Sequence, residues 1–106
     1  MSKYLIQASY TAEGAKGLLK EGGTARRAAA EKLMKSLGGR LEAFYFAFGD
    51  NDAYIITEVP DNATTAALSL TVSATGALRT KTVVLLTPEE IDQAAKKTVK
   101  FRPPGS

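Results

Sequence analysis

The chain has 106 residues, 44% of them apolar and 24% charged, with a net charge of +3; this is one soluble globular domain by length and composition. A domain of this size buries only about two thirds of the surface its unfolded chain exposes, so its core is modest and association with a further subunit would help it. It contains no cysteine and no histidine, which excludes disulfides, thiolate nucleophiles, Cys-based zinc or iron–sulfur sites, Ser-His-Asp and Cys-His catalysis, histidine-ligated haem and the usual facial triad for iron.

In chain order, "KYLIQASY" (3–10) alternates and is rich in branched and aromatic residues, so it predicts a first strand. Thr11 can cap the helical segment that follows, and Gly22-Gly23 interrupt it. Thr24 can cap again, and beyond it Ala25, Ala29, Leu33 and Leu37, with Ala30 and Met34 beside them, predict a buried stripe. Arg26, Arg27, Glu31 and Lys35 fall on other faces, and Glu31 and Lys35 are spaced for an ion pair along the helix. Gly38-Gly39 ends the helix.

"RLEAFYFAFG" (40–49) predicts strand two, "GDND" a turn, and "AYIITEV" (53–59) strand three, stopped by Pro60. Asp61 caps a helix that Gly76 closes, with Ala63, Ala66, Ala67, Leu70 and Ala74 as its small-residue face. "ALRTKTVVLL" (77–86) predicts strand four. "TPEE" (87–90) opens a short last helix: a Thr cap, Pro at the first position and Glu three after the cap. The order β-α-β-β-α-β-α, with right-handed crossovers, predicts an α+β, ferredoxin-like antiparallel sheet with helices on one face and a short C-terminal helix.

The domain is expected to span 1–95. Residues 96–106 form a basic tail with Lys96, Lys97, Lys100 and Arg102 and no acid, whereas the other 95 residues carry ten bases and eleven acids. The tail can touch an anionic ligand or nucleic acid, but a solvated tail, or one packed on a partner subunit, is the favoured reading, so nucleic-acid binding is not expected. No apolar run approaches the roughly 18 residues of a membrane span, and "MSKYLIQASY" is no signal peptide. A cytoplasmic protein with no membrane contact is expected.

A sheet with one face in water alternates apolar and polar residues. Strand two does not: Leu41, Ala43, Tyr45 and Ala47 are expected on one face, Phe44, Phe46 and Phe48 on the other. Strand three has Tyr54 and Ile56 opposite Ile55 and Val59. Helices can cover only one face. A second copy of the chain is expected to cover the other, giving a dimeric α+β barrel with a cavity between subunits.

The segments "YLIQASYTAEG", "LGGRLEAFYFAFGDNDAYIITEVPD" and "GALRTKTVVLLTPEEI" together resemble the GYD-domain family of small bacterial proteins, over about residues 3–92. The resemblance implies a dimeric α+β barrel and no established general activity. The family's Gly-x-Tyr-Asp motif falls at Gly49-Asp50-Asn51-Asp52, with Asn51 in place of the tyrosine. Glu58, Asp61 and the "TPEE" helix start match the family pattern, and "FRPPG" (101–105) is similar to the tails of some members.

Four carboxylates crowd residues 50–61. Asp61 reads as a helix cap and Asp50 as a turn residue. Asp52 reads as a turn cap or as a group at the cavity mouth. Strand parity puts Asp52, Tyr54, Ile56 and Glu58 on one face, and a carboxylate within an apolar strand needs a partner. Lys81, Arg79 or Arg40 can supply it. Otherwise Glu58 is a general acid or base whose pKa burial has raised. Asp52 and Glu58 are therefore the catalytic candidates. They stand about 20 Å apart at roughly 3.3 Å per residue, too far to share one ion, so no metal site is expected. There is no dinucleotide or Walker pattern, and no cofactor is expected.

Tyr45 and Tyr54, with Gln7 and Lys81, are the candidate ligand contacts. Gln7 and Ser9 share a face of strand one. The favoured reading is a homo-oligomeric domain that binds a small molecule between subunits. The alternative is a cofactor-independent isomerase or monooxygenase of the dimeric-barrel type.

Overall fold

The computed structural model describes residues 1–106. Its elements are β1 (Ser2–Tyr10), α1 (Ala12–Glu21), α2 (Gly23–Ser36), β2 (Arg40–Phe46), β3 (Ala53–Val59), α3 (Asn62–Ala74), β4 (Leu78–Leu85) and α4 (Pro88–Ala95). The strands form one sheet in the order β2-β3-β1-β4, with every neighbouring pair antiparallel. β1 therefore sits inside the sheet, and both of its neighbours arrive from later in the chain. This is the ferredoxin-like α+β arrangement. No helix is long and apolar enough to cross a membrane.

α2 and α3 cover one face of the sheet. On that face Tyr4, Ile6, Met34, Val59 and Leu68 form the buried core, with Leu33, Leu37, Leu41, Ile55 and Val72 packed around it. Full burial of a side chain such as Ile6 or Val59 contributes about 1.5–3 kcal/mol. The core is small, since only 11 of the 106 residues are buried.

The helix faces differ from the sequence expectation. Ala25 and Ala29 are exposed, and α2 turns Ala30, Leu33, Met34 and Leu37 inward, with Arg26 half-buried on the same side. Gly22, with φ of 85°, ends α1 and starts α2, so Thr24 lies inside the first turn and no side chain caps α2. A residue in the left-handed region reverses the chain in one step, and glycine takes it without a Cβ penalty. In α3 the alanine face and Leu70 point outward, while Thr65 and Leu68 are buried and Val72 is half-buried. Bulk decides the rotation: Leu68 and Val72 bury more surface than alanines do. Thr65 can join them because its hydroxyl donates to the Asp61 carbonyl.

In β2 the pairing register shifts between Leu41 and Ala43. This bulge at Glu42 sends Leu41 to the core face, opposite Thr57, while Ala43 and Tyr45 take the other face. Strict alternation puts Leu41 with Ala43 and Tyr45; the inserted residue moves it to the opposite face.

Two glycines lock the strand ends. A Cβ on Gly39 would stand 2.1 Å from the Glu58 carbonyl oxygen, and one on Gly14 would stand 1.8 Å from that of Ala77. Asp61 caps α3 by accepting from the Thr64 N–H at 2.8 Å. Thr87 and Glu90 form a reciprocal capping box on α4. α4 nevertheless buries none of its residues, and 88–106 are exposed throughout. The radius of gyration is 16.9 Å, against about 13 Å for a compact chain of this length.

Candidate functional site

The sheet face opposite the helices is a grid of side chains fixed by strand register. Reading across β2, β3, β1 and β4, Tyr45 pairs with Tyr54, Tyr54 with Gln7, and Gln7 with Lys81. The four residues proposed from sequence as ligand contacts thus form one cross-strand row. At about 4.8 Å between strands, the row spans about 14 Å. The next row is apolar: Ala43, Ile56, Leu5 and Val83. Beyond it runs a charged row of Arg40, Glu58 and Lys3, ending at Leu85. Tyr45 is 71% exposed, Val83 41% and Tyr54 37%, so aromatic and aliphatic surface lies open to solvent.

Electrostatics divides the face. At the charged end, Arg40 donates to Glu58 from Nε at 2.9 Å and from Nη2 at 3.2 Å. Lys3 Nζ stands 2.7 Å from Glu42 and 3.7 Å from Glu58. Hydrogen bonding from Arg40 outweighs desolvation and holds the Glu58 carboxyl below its ordinary value. The acid/base reading requires the opposite shift. Of the partners expected from sequence, Arg40 is the one that reaches Glu58. Lys81 and Arg79 lie at the other end of β4, where Arg79 pairs in register with Ser9, and neither takes part in an ion pair.

The hairpin between β2 and β3 closes that cationic end. Asp52 Oδ2 accepts from the Tyr10 backbone N–H at 2.7 Å, and the Asp52 N–H donates to the Ala8 carbonyl at 2.8 Å. Asp52 thus clamps the end of β1, a contact 42 residues away in sequence. Ser9 donates to the Asp50 carbonyl at 3.2 Å and lies 3.4 Å from Asn51 Oδ1. Asn51 Nδ2 lies 3.4 Å from the Tyr54 hydroxyl. Asn51 therefore links β1 to the tyrosine row, a role that turn propensity alone does not reveal. The carboxylates of Asp52, Glu58 and Asp61 each take a different partner, the Tyr10 N–H, Arg40 and the Thr64 N–H, and do not converge on one site.

The open face offers two phenol rings, one side-chain amide and two unpaired cations around an apolar strip. Such a surface can stack a flat molecule and attract a negative group on it. A single subunit also contains a cavity of about 330 Å³, partly open to solvent, on the helix side of the sheet between α2 and α3.

Compared with known families, the chain matches the GYD domain over residues 4–95. It belongs to that family. No curated protein and no solved structure matches it.

Proposed function

We propose that this member of the GYD-domain family is a homo-oligomeric binding protein. Two copies face each other through their open sheet faces and hold a small, flat, anionic molecule against the row Tyr45–Tyr54–Gln7–Lys81. One observation carries the reading: four side chains from four strands, able to stack and to bond a negative group, lie in a single register row beside an apolar strip.

The apolar strip supports a second copy as the cover. Val83 and Tyr45 are large side chains left open, and exposed apolar patches with polar rims mark contact surfaces. The charged end of the face is internally neutralised by Arg40, Lys3, Glu42 and Glu58, so it can approach its own copy without net repulsion. On this face Lys81 and Arg79 are cations without a carboxylate partner, which favours an anionic guest near them. The binding reading is preferred over the enzymatic one because both carboxylate candidates are engaged, Glu58 by Arg40 and Asp52 by the Tyr10 N–H.

Light scattering coupled to native mass spectrometry of freshly purified protein tests this. The expected result is a dimer or larger assembly that carries extra non-covalent mass. Val83→Asp and Tyr45→Asp should return it to a single chain, and Lys81→Gln should lose the extra mass while keeping the assembly. A monomer at every concentration overturns the reading.

A further inference from the structure

The cavity between α2 and α3 is independent of the open face. α2 rests on β2 and β3, α3 rests on β4 and β3, and the helix face of β1 forms a floor between them. Ile6 and Ala8 provide that floor, Ala30 and Met34 one wall, Leu68 and Val72 the other. The volume of about 330 Å³ is roughly ten times that of one water in liquid. Protein interiors close-pack, and voids larger than a water molecule are few. A gap of this size between two helices is at the lower end of small-molecule sites, about 300–1,000 Å³.

The polar groups of the cavity say what kind of molecule fits. The Ser69 and Thr80 hydroxyls bond each other at 2.8 Å, Thr65 donates to the Asp61 carbonyl, and Thr75 donates to the Val72 carbonyl. These hydroxyls are already committed to the protein. Arg26 is the only charged side chain of the lining, and the phenol of Tyr10 lines the same cavity. The guanidinium is engaged only by a loose 3.8 Å contact with Glu21. It keeps most of its five donors available, in a fork that matches a carboxylate.

We infer that the α2–α3 cavity is a second binding site, one per chain, for a small apolar acid whose carboxylate meets Arg26 and whose hydrocarbon part lies along Ala8, Ala30 and Leu68. The arrangement places the charge where Arg26 is half-buried and the hydrocarbon along the apolar part of the lining, Ala8, Ala30 and Leu68.

Octanoate and its uncharged counterpart octanol are the probes, added to the full chain and followed by amide chemical shifts. Octanoate should bind one per chain with shifts centred on Ala8, Ala30 and Leu68, and octanol at least tenfold more weakly. Arg26→Gln should bring octanoate down to the affinity of octanol. Ala30→Leu should fill the cavity and abolish binding in a folded protein, and Val72→Phe makes the same test from the opposite wall. Val83→Asp, which disrupts the proposed subunit contact, should leave octanoate binding unchanged. Absence of binding, shifts centred on Tyr54 and Lys81 instead, or unchanged affinity in Arg26→Gln would overturn the inference.

Discussion

Arg40 and Glu58 face each other across β2 and β3 and are joined by two hydrogen bonds, 2.9 and 3.2 Å long. The geometry is that of a charge-assisted fork, which has direction as well as attraction. Folding lowers the Glu58 carboxyl below its ordinary 4.5. The native state therefore binds fewer protons at this site than the unfolded chain does. The resulting stabilisation is fully present above pH 4.5 and is lost as pH falls through the lower folded value. Asp61, lowered mainly by the Thr64 backbone N–H, acts with the same sign. The thermal midpoint should drop on acidification below pH 4.5, and Glu58→Gln should make that drop shallower. Melting curves across pH check it. Because both side chains are partly exposed, added salt should shrink the difference between the two proteins.

Gly39 sets up that pair by letting β2 approach β3 closely. A methyl there would stand 2.1 Å from the Glu58 carbonyl oxygen, so the backbone would have to move. Gly39→Ala should cost more than about 2 kcal/mol, as should Gly14→Ala against Ala77. Gly17 is the control. It lies within α1 with nothing within 4 Å of a Cβ, so Gly17→Ala should instead stabilise by about 0.5–1 kcal/mol. Urea unfolding of the three variants separates close approach from simple helix propensity. Equal effects at all three positions would show that the contacts do not matter.

The four strands and the helix ends were legible in the sequence because period-2 alternation, the glycine breaks and the Thr and Asp caps are all local signals. The helical stretch between β1 and β2, counted as one element in the order β-α-β-β-α-β-α, is two helices, α1 and α2, because Gly22 reverses the chain between them. Helix rotation was not. In α3 the alanines looked like the packing face, but Leu68 and Val72 bury more area, and Thr65 hides its hydroxyl on the Asp61 carbonyl. The β2 bulge at Glu42 was invisible for a related reason: it depends on pairing with β3, and one inserted residue moves Leu41 to the other face. The residues of the tyrosine row could be named individually from their chemistry. Their alignment across four strands is a property of register between segments as much as 74 residues apart, Gln7 and Lys81, and no local pattern encodes it. The α2–α3 cavity arises from how two helices are spaced, which leaves no trace in periodicity.

Asp52 was a catalytic candidate, and its contacts define an experiment that separates that role from a structural one. Its carboxylate accepts from the Tyr10 N–H at 2.7 Å, tying the β2–β3 turn to the end of β1. Asn keeps an acceptor oxygen of similar reach, while Ala leaves the Tyr10 N–H without its partner. Asp52→Ala should destabilise by about 1–3 kcal/mol and Asp52→Asn by clearly less. Hydrogen exchange of the Tyr10 amide should speed up in the alanine variant. If Asn and Ala are equally harmful, the carboxylate charge itself is required and the clamp does not explain the residue.

Thr57 lies at the centre of β3, fully buried, between Tyr4 on β1 and Leu41 on β2. Its Oγ1 is buried without a hydrogen-bond partner. A hydroxyl taken out of water and left unpaired costs about 1–3 kcal/mol. Valine has nearly the same shape, favours strands and carries no polar atom. Thr57→Val should therefore raise stability by about 1 kcal/mol. Thr57→Ser is the necessary companion, because it keeps the hydroxyl and deletes the methyl group. It should lower stability, since the methyl packs in the core and a cavity replaces it. Thr57→Val keeps the shape and removes the hydroxyl, whereas Thr57→Ser keeps the hydroxyl and removes a methyl, so opposite signs in urea unfolding would separate the cost of the unpaired hydroxyl from the gain of packing. A loss of stability in Thr57→Val would mean that the hydroxyl is bonded in solution and that its burial is compensated.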